Sequence, residues 1–313
     1  LKVGTRDSRL ARAQTAYVVE RFSTCLPGLT FEQVPVSSPG DRDRETDLRD
    51  SPADFFTRDL DRQLISGALD LAIHSAKDLP DPMPAGIDWC WLPWREDPRD
   101  AVVLPRGGGL DNMPAATRIG ISSERREAYA AKRFPNAVLM PIRGNIDERL
   151  AALDGGEFDV LIMAVAALVR LGLEDRAWEV IALEALSVPE GQGVLAMTFR
   201  TGDERMIRLR SLFVKSVIFA GAGAGNAGEC TMWAARALER ANVCLYDALL
   251  DTALLEYLPR DARRAYVGKR CGRVSPSQAE ITERIALFAR RGCRVVRLKG
   301  GDPGIFGRLA EEV

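Results

Sequence analysis

The sequence predicts an α/β protein made of two α/β lobes that face each other across a cleft, followed by part of a third α/β domain. Three observations predict it. Short apolar, strand-type runs alternate with helix-type segments along the 313 residues. The alternation restarts at "REDPRDAVVL" (95–104), which separates the first lobe from the second. It restarts again near 214, where strand, glycine-rich turn and helix follow one another in "VKSVIFAGAGAGNAGECTMWAARAL".

The elements follow in order. "LKVGTR" reads as a strand, and Ser8 opens a helix through "RLARAQTAYVVERF". "TFEQVPV" is a second strand. The charged loop "SSPGDRDRETDLRDSPAD" leads to the helix "FFTRDLDRQLISG" (55–67), and the strand "DLAIHS" ends the first set. Past 99, "RIGISS", "AVLMPI" and "FDVLIMA" read as strands, separated by the helices "ERREAYAAKRF" and "NIDERLAALDGG", with "AALVRLGL" as a further helix. "GVLAMTFR" (193–200) is a strand that returns to the first lobe. The expected domains are therefore 1–98 plus 189–212, 99–188, and 214–313.

Composition narrows the function classes. With 46% apolar residues, 28% charged residues and a net charge of -1, the chain is globular in type, with no excess positive charge for nucleic acid. The longest uncharged apolar run, "VLIMAVAALV" (160–169), is too short to span a bilayer. No basic, apolar leader opens the sequence, so a cytoplasmic protein is expected. The six cysteines form no C-x-x-C pair and the chain has one histidine, so no metal site is expected. Lysine supplies only six of the 43 basic residues. The remaining arginines carry planar forks suited to carboxylates, so their placement carries information.

Four stretches place polar groups at strand ends. "GTRDS" holds Arg6 and Ser8 just ahead of a helix N-terminus. "HSAKDLP" holds Lys77 and Asp78, "ISSERR" holds Ser122, Ser123, Arg125 and Arg126, and "IRGNIDER" holds Arg143 and Arg149. Singly, each reads as a solvated turn. Together they line up cations at the strand ends of two facing lobes, with Asp78 as the acid among them. That suits a substrate bearing several carboxylates.

Seven ordered stretches carry a resemblance: "GTRDSRLARAQT", "DLAIHSAKDLP", "REDPRDAVV", "GISSERR", "IRGNIDERL", "LDGGEFDVLIMAVAALVRLGL" and "VPEGQGVLAMTFR". Over about residues 1–212 the chain resembles hydroxymethylbilane synthase (porphobilinogen deaminase), whose lobes are similar to periplasmic binding proteins. The resemblance implies polymerisation of four porphobilinogen units to hydroxymethylbilane, with ammonia released at each step. It makes Asp78 the catalytic carboxylate, stabilising positive charge on pyrrole nitrogens. It places Arg6, Arg125, Arg126, Arg143, Arg149 and Arg170 on acetate and propionate side chains. Ser8, Gln14, Lys77, Ser122, Ser123 and Gln192 fall on further cleft positions, and Phe56 on the aromatic near the growing chain. It also implies a dipyrromethane cofactor. The G-G-C-x-x-P loop whose cysteine attaches that cofactor does not occur, and neither Cys230 nor Cys271 has its context. His74 is expected to be neutral and bonded to backbone.

The last hundred residues carry a second resemblance. "GAGAGNAG", "LYDALL", "VGKRCGR" and "VVRLKGGDPGIFGR" resemble the N-terminal half of uroporphyrinogen-III C-methyltransferase, of the tetrapyrrole methylase family. This implies S-adenosyl-L-methionine held by Gly221, Gly223, Gly225, Gly300, Gly301 and Asp302, with Asp247 near the substrate groove. It also implies dimerisation in a full-length parent. Asn226 stands where an aspartate is usual.

The leading expectation is a tetrapyrrole-biosynthesis fusion that takes small pyrrole carboxylates, without nucleic-acid or membrane partners. The alternatives are a methyltransferase fusion whose first part only binds pyrrole carboxylates, a solute-binding module, and an inactive fusion fragment.

Overall fold

The Ser8 hydroxyl accepts a hydrogen bond from the Ala11 amide at 3.3 Å, which fixes where the chain leaves β1 (Lys2–Arg6) and enters α1 (Arg9–Cys25). The computed structural model describes the chain apart from residues 39, 41–50, 53, 110–113, 115, 224–225, 249, 269–275 and 304–313. It divides into two units, Leu1–Ile207 and Arg208–Val313.

In the first unit, α1 is followed by β2 (Glu32–Val36), α2 (Arg58–Ser66), β3 (Leu71–Ser75) and β4 (Ile87–Arg95). β5 (Asp100–Val103) and β6 (Arg118–Ile121) come next, then α3 (Glu124–Arg133), β7 (Val138–Pro141) and α4 (Ile146–Asp154). β8 (Val160–Ala164), α5 (Val165–Leu171), β9 (Ala177–Val180) and β10 (Val194–Arg200) complete it.

These strands make two five-stranded sheets, β2-β1-β3-β10-β4 and β7-β6-β8-β5-β9. β1 lies parallel to β2 and β3, whereas β10 runs antiparallel to both β3 and β4. In the second sheet β6 is parallel to β7 and β8, and β5 is antiparallel to β8 and β9. Both sheets are therefore mixed. Helix-type periodicity puts Leu60 and Leu64 of α2 against Val36, Leu69, Ala72 and Ile87. Each such fully buried leucine contributes about 2 kcal/mol.

Two expectations change. The helix expected from residue 55 starts at Arg58, because Phe55 and Phe56 sit in the preceding turn and pack edge to face, with ring centroids 5.4 Å apart. β4 and β9 were not expected as strands. Pro93 obscures β4: it falls between Trp91 and Arg95, where the register against β10 shifts, and a proline is tolerated at such a bulge.

α6 (Glu204–Ser211) follows β10. The second unit holds β11 (Ile218–Gly221), α7 (Met232–Glu239), β12 (Val243–Tyr246), β13 (Arg263–Tyr266), α8 (Gln278–Arg290) and β14 (Val295–Lys299). Its sheet, β11-β14-β12-β13, is parallel throughout, with one apolar cluster around Leu238, Leu254 and Leu298 and another around Leu245, Ile285 and Val295. Among the described residues no helix is long and apolar enough to cross a membrane.

Candidate functional site

Parallel pairing of β1 with β3 brings their carboxyl ends together. Arg6 closes β1, while Lys77 and Asp78 lie in a single 3-10 turn directly after β3. In the second sheet β6 runs out into Ser122 and Ser123 ahead of α3, and β7 into Arg143 ahead of α4. These ends line one cavity of about 700 Å³. Arg6, Ser8, Phe56, Lys77, Asp78 and Gln192 are on its wall, and so are Ser122, Ser123, Arg125, Arg126, Arg143 and Arg149.

Two of the anticipated residues do not line it. Gln14 is buried and donates to Ser75 Oγ at 3.0 Å, and Arg170 donates through Nη2 to the Gly193 carbonyl at 2.8 Å. Both brace the wall from behind. Burial also holds the Arg170 pKa below its usual value.

Three acids reach the cavity rather than one. Asp7 pairs with Arg12. Glu148 closes a capping box at α4, accepting from the Asn145 amide at 2.9 Å while Asn145 Oδ1 accepts from the Glu148 amide at 3.0 Å. Asp78 has no hydrogen bond or ion pair among the described residues, which leaves its carboxylate available inside a cationic wall.

The cations differ in how they are held. Arg6 stacks over the Phe56 ring, 4.3 Å from its centroid. Lys77 donates to Gln192 Oε1 at 3.2 Å. Water reaches Lys77 through the open cleft, yet protein flanks it closely. Desolvation, joined by Arg126 and Arg149, draws its ammonium below the usual pKa against the pull of Asp78 and Asp100. Arg149 donates to Gly144 O and Ser122 Oγ, and burial beside Arg126 and Arg143 brings it down to about 10.

Asp100 was missed. It opens β5, is completely buried, and meets both guanidiniums of the "ERR" stretch: Arg126 Nη2 at 2.7 Å and Arg125 Nη2 at 2.6 Å. Burial alone would raise its carboxyl pKa, but Arg126 and Arg125 outweigh that and hold it low. A single acid heading an apolar strand was the available signal, since such a charge demands a partner. Nothing in the spacing named which one. His74 is also placed differently from expectation. Its Nε2 pairs with the Thr198 hydroxyl at 2.9 Å rather than with backbone, and desolvation, aided by Arg6, lowers its pKa to about 3.

Residues 1–208 match the family described as "Porphobilinogen deaminase, dipyromethane cofactor binding domain". The chain belongs to the porphobilinogen deaminase family. This deaminase-family chain is 36% identical over 210 residues to porphobilinogen deaminase of Syntrophotalea carbinolica, covering 67% of each. It is 40% identical over 209 residues to porphobilinogen deaminase 2 of Streptomyces coelicolor, covering 66% of this chain and 67% of that protein. Residues 216–313 match the Tetrapyrrole (Corrin/Porphyrin) Methylases. Among solved structures, uroporphyrin III C-methyl transferase from Thermus thermophilus is 41% identical over 31% of this chain, with a TM-score of 0.26. The chain spans 40% of that structure's length. The deaminase-family chain is thus a transferase of tetrapyrrole biosynthesis with a fused methylase segment.

The family's cofactor can be tested against the wall. Ser123 Oγ and Arg126 Nε are buried without a hydrogen-bond partner among the described residues, at the N-terminus of α3. With the arginines around them they fit carboxylates. The thioether fits less well, because the described cysteines of this unit, Cys25 and Cys90, are not on the cavity wall.

In the methylase segment Gly221 ends β11, where a Cβ would lie 2.7 Å from the Gly301 carbonyl. Gly301 N donates to Gly223 O at 3.1 Å, so two loops meet at neighbouring strand ends. Both Asp247 oxygens are engaged, by Gly300 N at 3.1 Å and Arg297 Nη2 at 3.3 Å. A Cβ on Gly301 would meet no atom within 4 Å, which leaves bare backbone open to a ligand. Asp302 follows in the same loop, and Gly225 and Cys271 lie outside the described residues.

Proposed function

We propose that the first unit condenses porphobilinogen head to tail at the cavity around Asp78, releasing ammonia, and builds the linear tetrapyrrole hydroxymethylbilane from four units. One observation carries this reading: an available carboxylate sits among six cations, Arg6, Lys77, Arg125, Arg126, Arg143 and Arg149, on one wall. As the protonated amino group leaves as ammonia with the C–N bonding electrons, the remaining methylene and pyrrole carry positive charge, part of it on the ring nitrogen. Asp78 is the carboxylate nearest to that need, and fixed charge in a partly dry cleft stabilises it better than water does. The α-carbon of the next pyrrole attacks the methylene, and loss of the α-proton restores aromaticity. The cations hold acetate and propionate groups and set the angle of approach.

Arg125, Arg126, Ser122 and Ser123 would hold the carboxylates of a dipyrromethane. That group, when bound, supplies the pyrrole end from which the chain grows. For the second unit we read Gly221, Gly223, Gly225, Gly300, Gly301 and Asp302 as a partial S-adenosylmethionine site and Asp247 as lying toward a tetrapyrrole groove, in a segment that dimerises within a full-length parent. Small pyrrole carboxylates as partners and a cytoplasmic location go with this reading, supported by the family match over residues 1–208.

The test incubates the protein with porphobilinogen and follows porphobilinogen loss, ammonia release and uroporphyrin formation, beside Asp78→Ala. Product from the wild type and none from the variant supports the reading. Tight porphobilinogen binding without turnover overturns it in favour of a binding module.

A further inference from the structure

Asp100 is absent from the cavity wall, yet it sits at the centre of the polar network behind it. Its Oδ1 accepts from Arg126 Nη2 at 2.7 Å and from Gln192 Nε2 at 3.1 Å, and its Oδ2 faces Arg125 Nη2 at 2.6 Å. The Gln192 amide continues the chain, donating to the Pro98 carbonyl at 2.6 Å and accepting from Lys77 Nζ at 3.2 Å. On the other side, Arg126 Nη1 donates to Ser122 Oγ at 3.3 Å, and the same oxygen accepts from Arg149 Nη1 at 3.2 Å. Arg125 Nη1 is tied to the Ser187 carbonyl at 2.6 Å. Lys77, beside Asp78 in the turn after β3, is therefore connected to Arg149 of α4 through one buried carboxylate.

Two consequences follow for charge and freedom. One anion against two guanidiniums leaves the pair a single net positive charge. Every terminal nitrogen of Arg125 and Arg126 already has a protein partner, so neither fork can turn toward a ligand without uncovering a buried charge. Each of those nitrogens keeps a second hydrogen for a ligand oxygen. The forks are thus set in advance of binding, which lowers the side-chain entropy lost when a carboxylate arrives.

We infer that Asp100 is a positioning residue, which fixes the Arg125–Arg126 pair and, through Gln192, sets it in register with Lys77 and Asp78. The kinetic part of this inference rests on the porphobilinogen reading of the cleft. The structural part does not.

The experiment compares wild type, Asp100→Asn and Asp100→Glu, each checked for folding by circular dichroism and thermal melting. Phenylglyoxal labelling is read residue by residue by peptide mass spectrometry, and kcat and KM for porphobilinogen are measured on the same samples. Asp100→Asn is expected to speed labelling of Arg125 and Arg126 at least fivefold while exposed Arg62 is unchanged. It also raises KM about tenfold, a change that loss of folded protein cannot produce. Asp100→Glu restores the charge and recovers part of both. Unchanged labelling and unchanged KM in folded Asp100→Asn overturn the inference. If that variant does not fold, Asp100→Glu decides alone: a displaced carboxylate that leaves KM at the wild-type value overturns it equally. If the wild type neither binds nor consumes porphobilinogen, the functional reading falls while the labelling pattern still decides the role of Asp100.

Discussion

His74 is the sole histidine of the chain, so its titration can be isolated. The side chain is buried on β3 against Thr198 of β10, and its pKa falls from 6.5 to about 3. Above pH 6.5 the imidazole is neutral whether the chain is folded or not, and contributes no pH dependence. As pH drops through 6.5 the unfolded chain takes up a proton that the folded chain refuses until about pH 3. Stability is therefore lost on acidification across that window. At about 1.4 kcal/mol per pH unit, the 1.5 units between 6.5 and 5 remove about 2 kcal/mol. His74→Gln keeps a polar partner for Thr198 and cannot titrate. Urea unfolding followed by tryptophan fluorescence at pH 7 and pH 5 measures the difference, and Trp89, Trp91 and Trp94 all report from the same sheet. Carboxylates titrate alike in both proteins and cancel. The variant should lose about 2 kcal/mol less than wild type between the two pH values. Losses that agree within about 0.5 kcal/mol would refute the buried-neutral assignment.

Other outcomes follow from the same geometry. Asp78→Asn should lower kcat for porphobilinogen at least about a hundredfold with KM within about threefold, seen as ammonia release in single turnover. Because the Lys77 pKa is lowered, porphobilinogen binding should weaken with rising pH below the usual lysine range. Lys77→Arg should move that limb upward in a plot of KM against pH. Gly193 has φ +79°, and a Cβ there would lie 2.4 Å from Glu96 O. Gly193→Ala should cost roughly 2–4 kcal/mol in urea unfolding, since both the backbone conformation and the contact oppose it.

The strand ends were legible because the residues that matter there are local. An apolar run followed by Lys77-Asp78, or by Ser122-Ser123, marks a carboxyl edge without any knowledge of neighbours. Helix starts were legible for the same reason at Ser8 and Asn145, whose side chains cap within three residues. Partnerships across the chain were not. Asp100 and Gln192 are 92 positions apart, and Arg170 reaches Gly193 through the fold rather than through spacing. The direction of β10 was equally hidden, since alternation along a strand is the same whether its neighbours run with it or against it.

That strand bears on how the chain is put together. β10 lies between β3 and β4, and among the described residues β4 has no other neighbour in its sheet. A nascent chain therefore carries the unpaired edges of Leu71–Ser75 and Ile87–Arg95 while roughly a hundred further residues are added, and only Val194–Arg200 covers both. Long-range closure of this kind slows folding, and open edges invite pairing with other chains. A polypeptide released just short of residue 194 would keep every cation of the cleft, and Gln192 and Gly193 with them. Its first sheet would nonetheless be split in two, a state prone to aggregation rather than a smaller working enzyme.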